Sequence, residues 1–429
     1  MRFYPEGSLA AHILGYVADQ GDGTKQGYYG IEGAFNGDLS GRPGKILEEK
    51  DALGLSVLTG GFTKVDPVDG KSIELTIDRT VQYIIEKKLK EGVEKYDAGD
   101  GVIIVMEPAT GKILGMATYP AYEPQNMNFD EAIVGEKSGR KAREHRNLAI
   151  SYLYEPGSVI KPLTVSSAID LGKAVPETSY NDPGSAVYSG YTIRNWDGKA
   201  LGPMTLITLL QKSNNIGAAW VGHLVGREAL SSYFRKYGIG GLSGVALEGE
   251  EASPLRSDEE ITDIDLATMS FGQGILATPL QVLNAFNVIA NGGVLYQPQI
   301  VQKLIDTKSE TVIEPKELGR VIKQETSDTM IDMLIKAVDG GESKYFNIKN
   351  YIVAGKTGTA QIALAGGGGY DPNKTNATFV GFLPTSNKFS MIVKLREPQT
   401  NIYAAETAVP LWMETAGELA RYYSIPPDK

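Results

Sequence analysis

The sequence predicts an α/β protein of the α+β kind, in which one mostly antiparallel sheet is covered by helices and a small region stands apart at the N-terminus. Three observations predict it. Strand-like runs gather near residues 72–117 and again near 352–395. The stretch from Gly157 to about Ala290 reads as mainly helical, and the first 66 residues are glycine-rich and irregular. At 429 residues the chain is too long for one ordinary core, so two units are expected, 1–66 and 67–429.

Turn clusters at Gln20-Gly21-Asp22-Gly23 and Gly41-Arg42-Pro43-Gly44 punctuate the first unit, and Gly60-Gly61 with Pro67-Val68-Asp69-Gly70 marks a linker or hairpin. Ser72 to Ile77 alternates like a strand. Asp78 then caps a helix whose apolar positions, Val81, Ile84, Ile85 and Leu89, share a face. Gly101 to Met106 reads as a buried strand, Glu107 to Gly111 as a turn, and Lys112 to Ala117 as the hairpin partner. Residues 131–147 are strongly charged and expected to face solvent. Loops near 180–200 and 237–260 interrupt the helical middle. Strands return at Ile352-Val353-Ala354, Ala377 to Phe382 and Ser390 to Leu395, and a last helix runs from Ala408 to Tyr423. The glycine run Gly366 to Gly369 is expected to form a mobile loop between two of these strands.

Composition removes whole classes of function. Lys plus Arg 42 against Asp plus Glu 52 gives a net charge of −10, which argues against a nucleic-acid binder. Cysteine is absent, which excludes disulfides, thiolate catalysis and cysteine metal sites. His12, His145 and His223 have no metal-ligand spacing and read as solvated or structural, so a histidine triad is unsupported. No cofactor or metal is expected. No run of about 18 apolar residues exists to span a membrane, and no signal-peptide pattern opens the chain. Met1 to Pro5 reads as entering a domain already under way.

Three short motifs carry the chemistry: Ser158-Val159-Ile160-Lys161, Ser213-Asn214-Asn215 and Lys356-Thr357-Gly358. A bare Ser-x-x-Lys is weak evidence, and Ser138-Gly139-Arg140-Lys141 repeats it, with Lys137-Ser138-Gly139 imitating the third motif. That copy lies in a charged, glycine-broken stretch with nothing to fix serine against lysine. Ser179-Tyr180-Asn181 similarly sits in a turn before Asp182-Pro183-Gly184. Ser158 has better context, because Pro162 is tolerated only in a helix's first turn and so sets the helix start near Ser158. Lys161 then lies one turn along on the same face. The helix's positive end favours a neutral amine and a developing oxyanion. To act as a base at neutral pH, a lysine must drop by about 3 pKa units, costing roughly 4 kcal/mol. Burial and a nearby cation such as Lys356 supply such a shift. Ser213 can relay a proton while Asn215 orients a substrate amide. Alternation puts Thr357 and Thr359 on one face for a carboxylate, and Gly358 leaves room for a substrate backbone.

The motifs occur in the order and on the elements these roles require. The chain resembles the class B penicillin-binding proteins, the transpeptidases of bacterial cell-wall synthesis. Arg2-Phe3-Tyr4-Pro5, Ala10 to Tyr16 and Gly30-Ile31-Glu32 look like that family's non-catalytic pedestal or dimerisation region. Leu75-Thr76-Ile77-Asp78 with Gln82 looks like the start of its catalytic domain. Phe271-Gly272-Gln273-Gly274 with Thr278-Pro279-Leu280-Gln281 looks like the helix before its last strands. The resemblance implies the penicillin-binding protein and serine β-lactamase-like fold, with a pedestal in 1–66 and a transpeptidase domain in 67–429. It implies Ser158 as nucleophile, Lys161 as base and Ser213 as relay. Asn215, Lys356, Thr357, Gly358 and Thr359 would hold the donor peptide, and the N–H groups of Ser158 and Thr359 would form the oxyanion hole. It further implies peptidoglycan stem peptides as substrates, β-lactams as inhibitors, and other wall-synthesis or division proteins as partners. The expected location is the outer face of the bacterial cell membrane, through an anchor this chain lacks. Gly358 to Gln361 and Phe379 to Phe382 favour the division or sporulation type over the elongation type. A D,D-carboxypeptidase, a serine β-lactamase and a β-lactam sensor are the alternatives. The β-lactamase needs a water-activating base, and no residue is clearly placed for one.

Overall fold

Apolar runs long enough to be buried on both faces form the centre of the molecule. In the computed structural model, which describes residues 2–21, 23–50, 53, 55, 62–127, 145–364, 366 and 368–428, five strands form one antiparallel sheet. Its order is Ala354–Ala363, Tyr370–Phe382, Ser390–Arg396, Asp100–Met106, Ile113–Tyr119. The early hairpin joins the late strands edge to edge, with Ile104 opposite Ile392. Period-two alternation divides each strand between two cores. Ile103, Val105, Phe379 and Val393 face the helices Arg79–Lys95 and Ala408–Tyr422. Val102, Ile104, Val380 and Ile392 face the helical middle, including Lys161–Asp170 and Pro279–Ala290. Each such buried side chain stabilises the fold by about 1.5–3 kcal/mol.

Asp78 caps the first of these helices, accepting from Thr80 N at 2.8 Å and Val81 N at 3.1 Å. Trp412 in the last helix donates Nε1–H to the Met391 carbonyl at 2.8 Å, tying helix to sheet.

Several expectations need correction. The early region is not irregular throughout: Tyr16–Asp19 pairs with Lys25–Tyr28, and Lys45–Glu48 with Phe62–Val65. The strand Ser72–Leu75 belongs to a separate sheet, paired with Val301–Ile305. The supposed loop near 180–200 is built of strands, Ser179–Asp182 with Gly202–Thr205 and Ser185–Tyr188 with Tyr191–Arg194. They are four residues each and half exposed, so no buried run announces them. Helix Gln324–Gly340, which the sequence patterns above do not predict, precedes the late strands. Ser138–Lys141, Lys137-Ser138-Gly139, most of the charged 131–147 stretch, Gly60-Gly61 and Gly367 lie outside the described residues. Among the described residues, no helix is long and apolar enough to cross a membrane.

Candidate active site

The chain reaches the site through a tight turn. Gly157–Ile160 is a 3₁₀ turn, and the α-helix proper starts at Lys161, with Pro162 in its first turn. Gly157 has φ +62° and donates its N–H to the Gly272 carbonyl at 2.9 Å. A Cβ on Gly272 would stand 2.2 Å from the Gly157 oxygen, so two glycines let these segments meet. Glu155 fastens the same turn, accepting from Gly274 N at 2.8 Å and the Tyr370 hydroxyl at 3.1 Å. Burial pushes the Glu155 carboxyl above the usual carboxylate range. Ser158 is thereby held half-buried at the wall of a cavity of about 380 Å³.

Ser213 follows helix Leu206–Lys212 in the left-handed conformation, φ +52°, and Asn214 caps the next helix by accepting from Gly217 N at 2.7 Å. Asn214 also donates to the buried Asp182 carboxylate at 2.8 Å. Asp182 accepts further from Gly184 N at 2.9 Å, Asn195 Nδ2 at 2.8 Å and Leu201 N at 3.1 Å. Asn195 Oδ1 in turn accepts from Asn215 N at 3.2 Å. The short strands therefore serve to brace the Ser213 loop. Sequence reasoning passed over Asp182 as part of a turn, and only its burial among four donors gives it away.

The third motif lies inside a strand rather than after one: Ala354–Ala363 carries Lys356, Thr357, Gly358 and Thr359. Thr357 and Thr359 line the cavity with Ser158, Ser213 and Asn215. Thr359 Oγ1 accepts from Ala404 N at 3.0 Å, leaving its own hydrogen to donate. Gly358 is close-packed against the nucleophile turn. A Cβ there would meet Val159 Cγ1 at 2.9 Å and the Pro156 carbonyl at 3.0 Å, so the glycine makes room for that turn. It does not line the cavity. Ser179-Tyr180-Asn181 lies in the bracing strands, away from it.

Two lysines are buried behind the wall, Lys161 fully and Lys356 almost so. Lys161 Nζ contacts the Ser213 carbonyl oxygen, the Asn215 Oδ1 at 2.8 Å and Ser213 Oγ at 3.3 Å. Lys356 Nζ reaches the same Ser213 Oγ at 3.0 Å and Thr357 Oγ1 at 3.1 Å. Burial, and then the charge of Lys356, hold Lys161 well below the ordinary lysine value. Burial lowers Lys356 to about 8. Glu342 opposes both shifts from the cavity rim. Sequence reasoning missed Glu342, and with it Arg194, Trp196, Gln273 and Tyr403, which also line the cavity. Gln273 alone had a signal, the Gly272-Gln273-Gly274 triplet. Among the described residues, no group of three His, Asp or Glu is placed to hold a metal.

A lysine able to be neutral one turn from a serine, with a hydroxyl between it and a second lysine, is equipped for serine acyl transfer. Comparison with known proteins agrees. Residues 101–413 match the penicillin-binding protein transpeptidase domain, and residues 1–75 the penicillin-binding protein dimerisation domain. The chain belongs to the penicillin-binding protein transpeptidase family. It is 31% identical over 418 residues to Stage V sporulation protein D of Bacillus subtilis, covering 96% of this chain and 62% of that protein. It is 29% identical over 431 residues to the peptidoglycan D,D-transpeptidase FtsI of Escherichia coli K12, covering 100% of this chain and 68% of that one. The chain thus spans somewhat under two thirds of the first relative's length and just over two thirds of the second's. The crystal structure of penicillin-binding protein 3 from Mycobacterium tuberculosis superposes with a TM-score of 0.85 at 28% identity, covering 100% of this chain and 92% of that one. That protein has also been solved with aztreonam and with ampicillin.

Proposed function

We propose that this chain is the D,D-transpeptidase part of a class B penicillin-binding protein, cross-linking peptidoglycan stem peptides through a serine acyl-enzyme. The observation that carries it is the meeting of Lys161 and Lys356 at the Ser213 hydroxyl, beside the cavity onto which Ser158 opens. Neutral Lys161 takes the Ser158 proton, and Oγ attacks the carbonyl between the two terminal D-alanines of the donor. The C–O bond forms and the C–N bond breaks, and the released D-alanine takes its proton through Ser213. Thr357, Thr359 and the charge of Lys356 hold the donor's carboxylate, and Asn215 orients its amide. The N–H groups of Ser158 and Thr359 receive the oxyanion. A second substrate's amine then resolves the acyl-enzyme.

Residues 1–66 act as part of the pedestal, and 67–429 as the transpeptidase unit; the dimerisation match over 1–75 and the transpeptidase match over 101–413 support an N-terminal pedestal before a catalytic part, with the dimerisation match running nine residues past position 66. The relatives named FtsI and Stage V sporulation protein D support a role in the septum or the spore. An enzyme acting on wall precursors would work at the outer face of the cell membrane, among other wall-synthesis or division proteins. β-Lactams inhibit by acylating Ser158. Fluorescent penicillin should label one site, and Ser158→Ala should abolish the label. Persistent labelling in that variant, or labelling at Ser138, defeats the assignment. Rapid turnover of the adduct would instead mark a β-lactamase.

A further inference from the structure

The transpeptidase reading leaves open where the second substrate enters. Beside the catalytic cavity lies a groove of about 430 Å³, and the two share Asn195, Trp196 and Glu342. Its floor is closely fitted: Gly340 and Gly341 pack against Gln211, where a Cβ on Gly340 would stand 2.4 Å from Gln211 Nε2. Gln211 is itself held by a hydrogen bond to the Lys336 carbonyl at 3.0 Å. The walls carry two aromatic rings that the core does not need, Trp196 at 58% and Tyr345 at 77% exposure.

Charge differs between the two spaces: the cavity lining holds Arg194 and Glu342, while the groove adds three lysines and Asp197. Glu342 is the one acidic side chain among the described residues lining the catalytic cavity, and it stands where groove and cavity meet. Its charge reaches Lys161 and Lys356 behind the cavity wall and favours their protonated forms. Lys199, Lys212 and Lys344 line the groove only, against Asp197, the single carboxylate confined to the groove, which stands 4.0 Å from Lys199. A groove in which three lysines outnumber Asp197, with Glu342 at its inner end, matches a peptide that bears carboxylates and carries a free amine. A donor, which must present a carboxylate to Thr357 and Thr359, has no use for Glu342.

We propose that this groove binds the acceptor stem peptide and that Glu342 receives its amine at the mouth of the catalytic cavity. The inference rests on the transpeptidase reading and adds the acceptor subsite to it. The ammonium sheds one proton to solvent, and the neutral nitrogen attacks the ester carbonyl on Ser158. The C–N bond forms as the C–Oγ bond breaks, and the remaining excess proton passes through Lys161 and Ser213 to the serine oxygen.

The test uses a D-alanyl thioester as donor and compares two acceptors, D-alanine and a lysine-containing stem pentapeptide, measuring aminolysis against hydrolysis. Glu342→Gln should lower that ratio for both amines by about tenfold, the worth of one charge-assisted contact. Tyr345→Ala should raise the half-saturating concentration of the pentapeptide by about fivefold while leaving that of D-alanine in place, a split that general loosening of the site would not give. Unchanged ratios in Glu342→Gln, or equal shifts for both amines in Tyr345→Ala, overturn the acceptor groove while the transpeptidase reading stands. A wild-type protein that accepts the donor but transfers it to neither amine overturns both.

Discussion

Lys161 and Lys356 hold fewer protons in the folded protein than in the unfolded chain, and this decides how the site answers to pH. Lys161 works only when neutral, so acylation by penicillin should rise with pH through its lowered pKa. Lys356 contributes its charge to carboxylate binding, so the rate should fall again as pH passes about 8. A bell-shaped profile of the second-order acylation constant is expected, and Lys356→Arg should lift its alkaline limb. A profile with no fall above about pH 8 would contradict the Lys356 assignment, and one with no acid limb the Lys161 assignment. The same shifts bear on stability. A lysine with a depressed folded pKa opposes folding at neutral pH, and that cost is relieved between the folded and unfolded values, for Lys356 between about 8 and 10.5. Lys161→Met should therefore abolish acylation while stabilising the fold by about 1 kcal/mol, measured as a rise in Tm. The sequence named both lysines because the motif letters are local. It could not name Glu342, whose effect on them depends on how the helix ending at Gly340 meets the sheet.

At the level of elements, the site is held by contacts between segments far apart in the chain. Asp182 gathers four donors and braces the Ser213 loop. Asp182→Asn would turn an amide N–H towards those donors, costing about 1–3 kcal/mol and slowing acylation, as thermal melts and penicillin labelling would record. Gly358→Ala would push a methyl into Val159 and Pro156, displacing the nucleophile turn. Labelling should slow by about tenfold or more, a change of roughly 1.4 kcal/mol in the barrier. The strands of the main sheet were legible because burial on both faces gives unbroken apolar runs such as Val102 to Met106. The bracing strands were not, since Ser179–Asp182 and Ser185–Tyr188 alternate exposed with covered residues over four positions.

Across the whole molecule, the first residues are joined to the catalytic part by hydrogen bonds rather than by a flexible tether. Glu86 accepts from Ala10 N at 2.7 Å, Tyr122 donates to the Ala11 carbonyl at 2.9 Å, and Glu248 accepts from Tyr29 N at 2.6 Å. Arg79 and Glu6 add an exposed ion pair worth about 0–1 kcal/mol. The two parts should melt in one transition, and Glu86→Ala, which strands the Ala10 N–H, should lower Tm without splitting it. Two separate transitions in calorimetry would show that the contacts carry little energy. Length led to the expectation of two units, and motif order pointed to the catalytic residues. The seam between them was invisible, because carboxylates such as Glu86 and Glu248 look like ordinary surface charge until their partners are known.

The left-handed backbone at Ser213 has a consequence for which substitutions the site can survive. Threonine would supply the same hydroxyl, yet a β-branched side chain strongly resists φ near +52°. Asparagine and glycine accept that backbone but bring no hydroxyl to stand between the lysines. Serine is thus confined from two sides at once, by chemistry and by conformation. A lineage under pressure from β-lactams has no conservative exchange open at this position and must vary the cavity's rim instead.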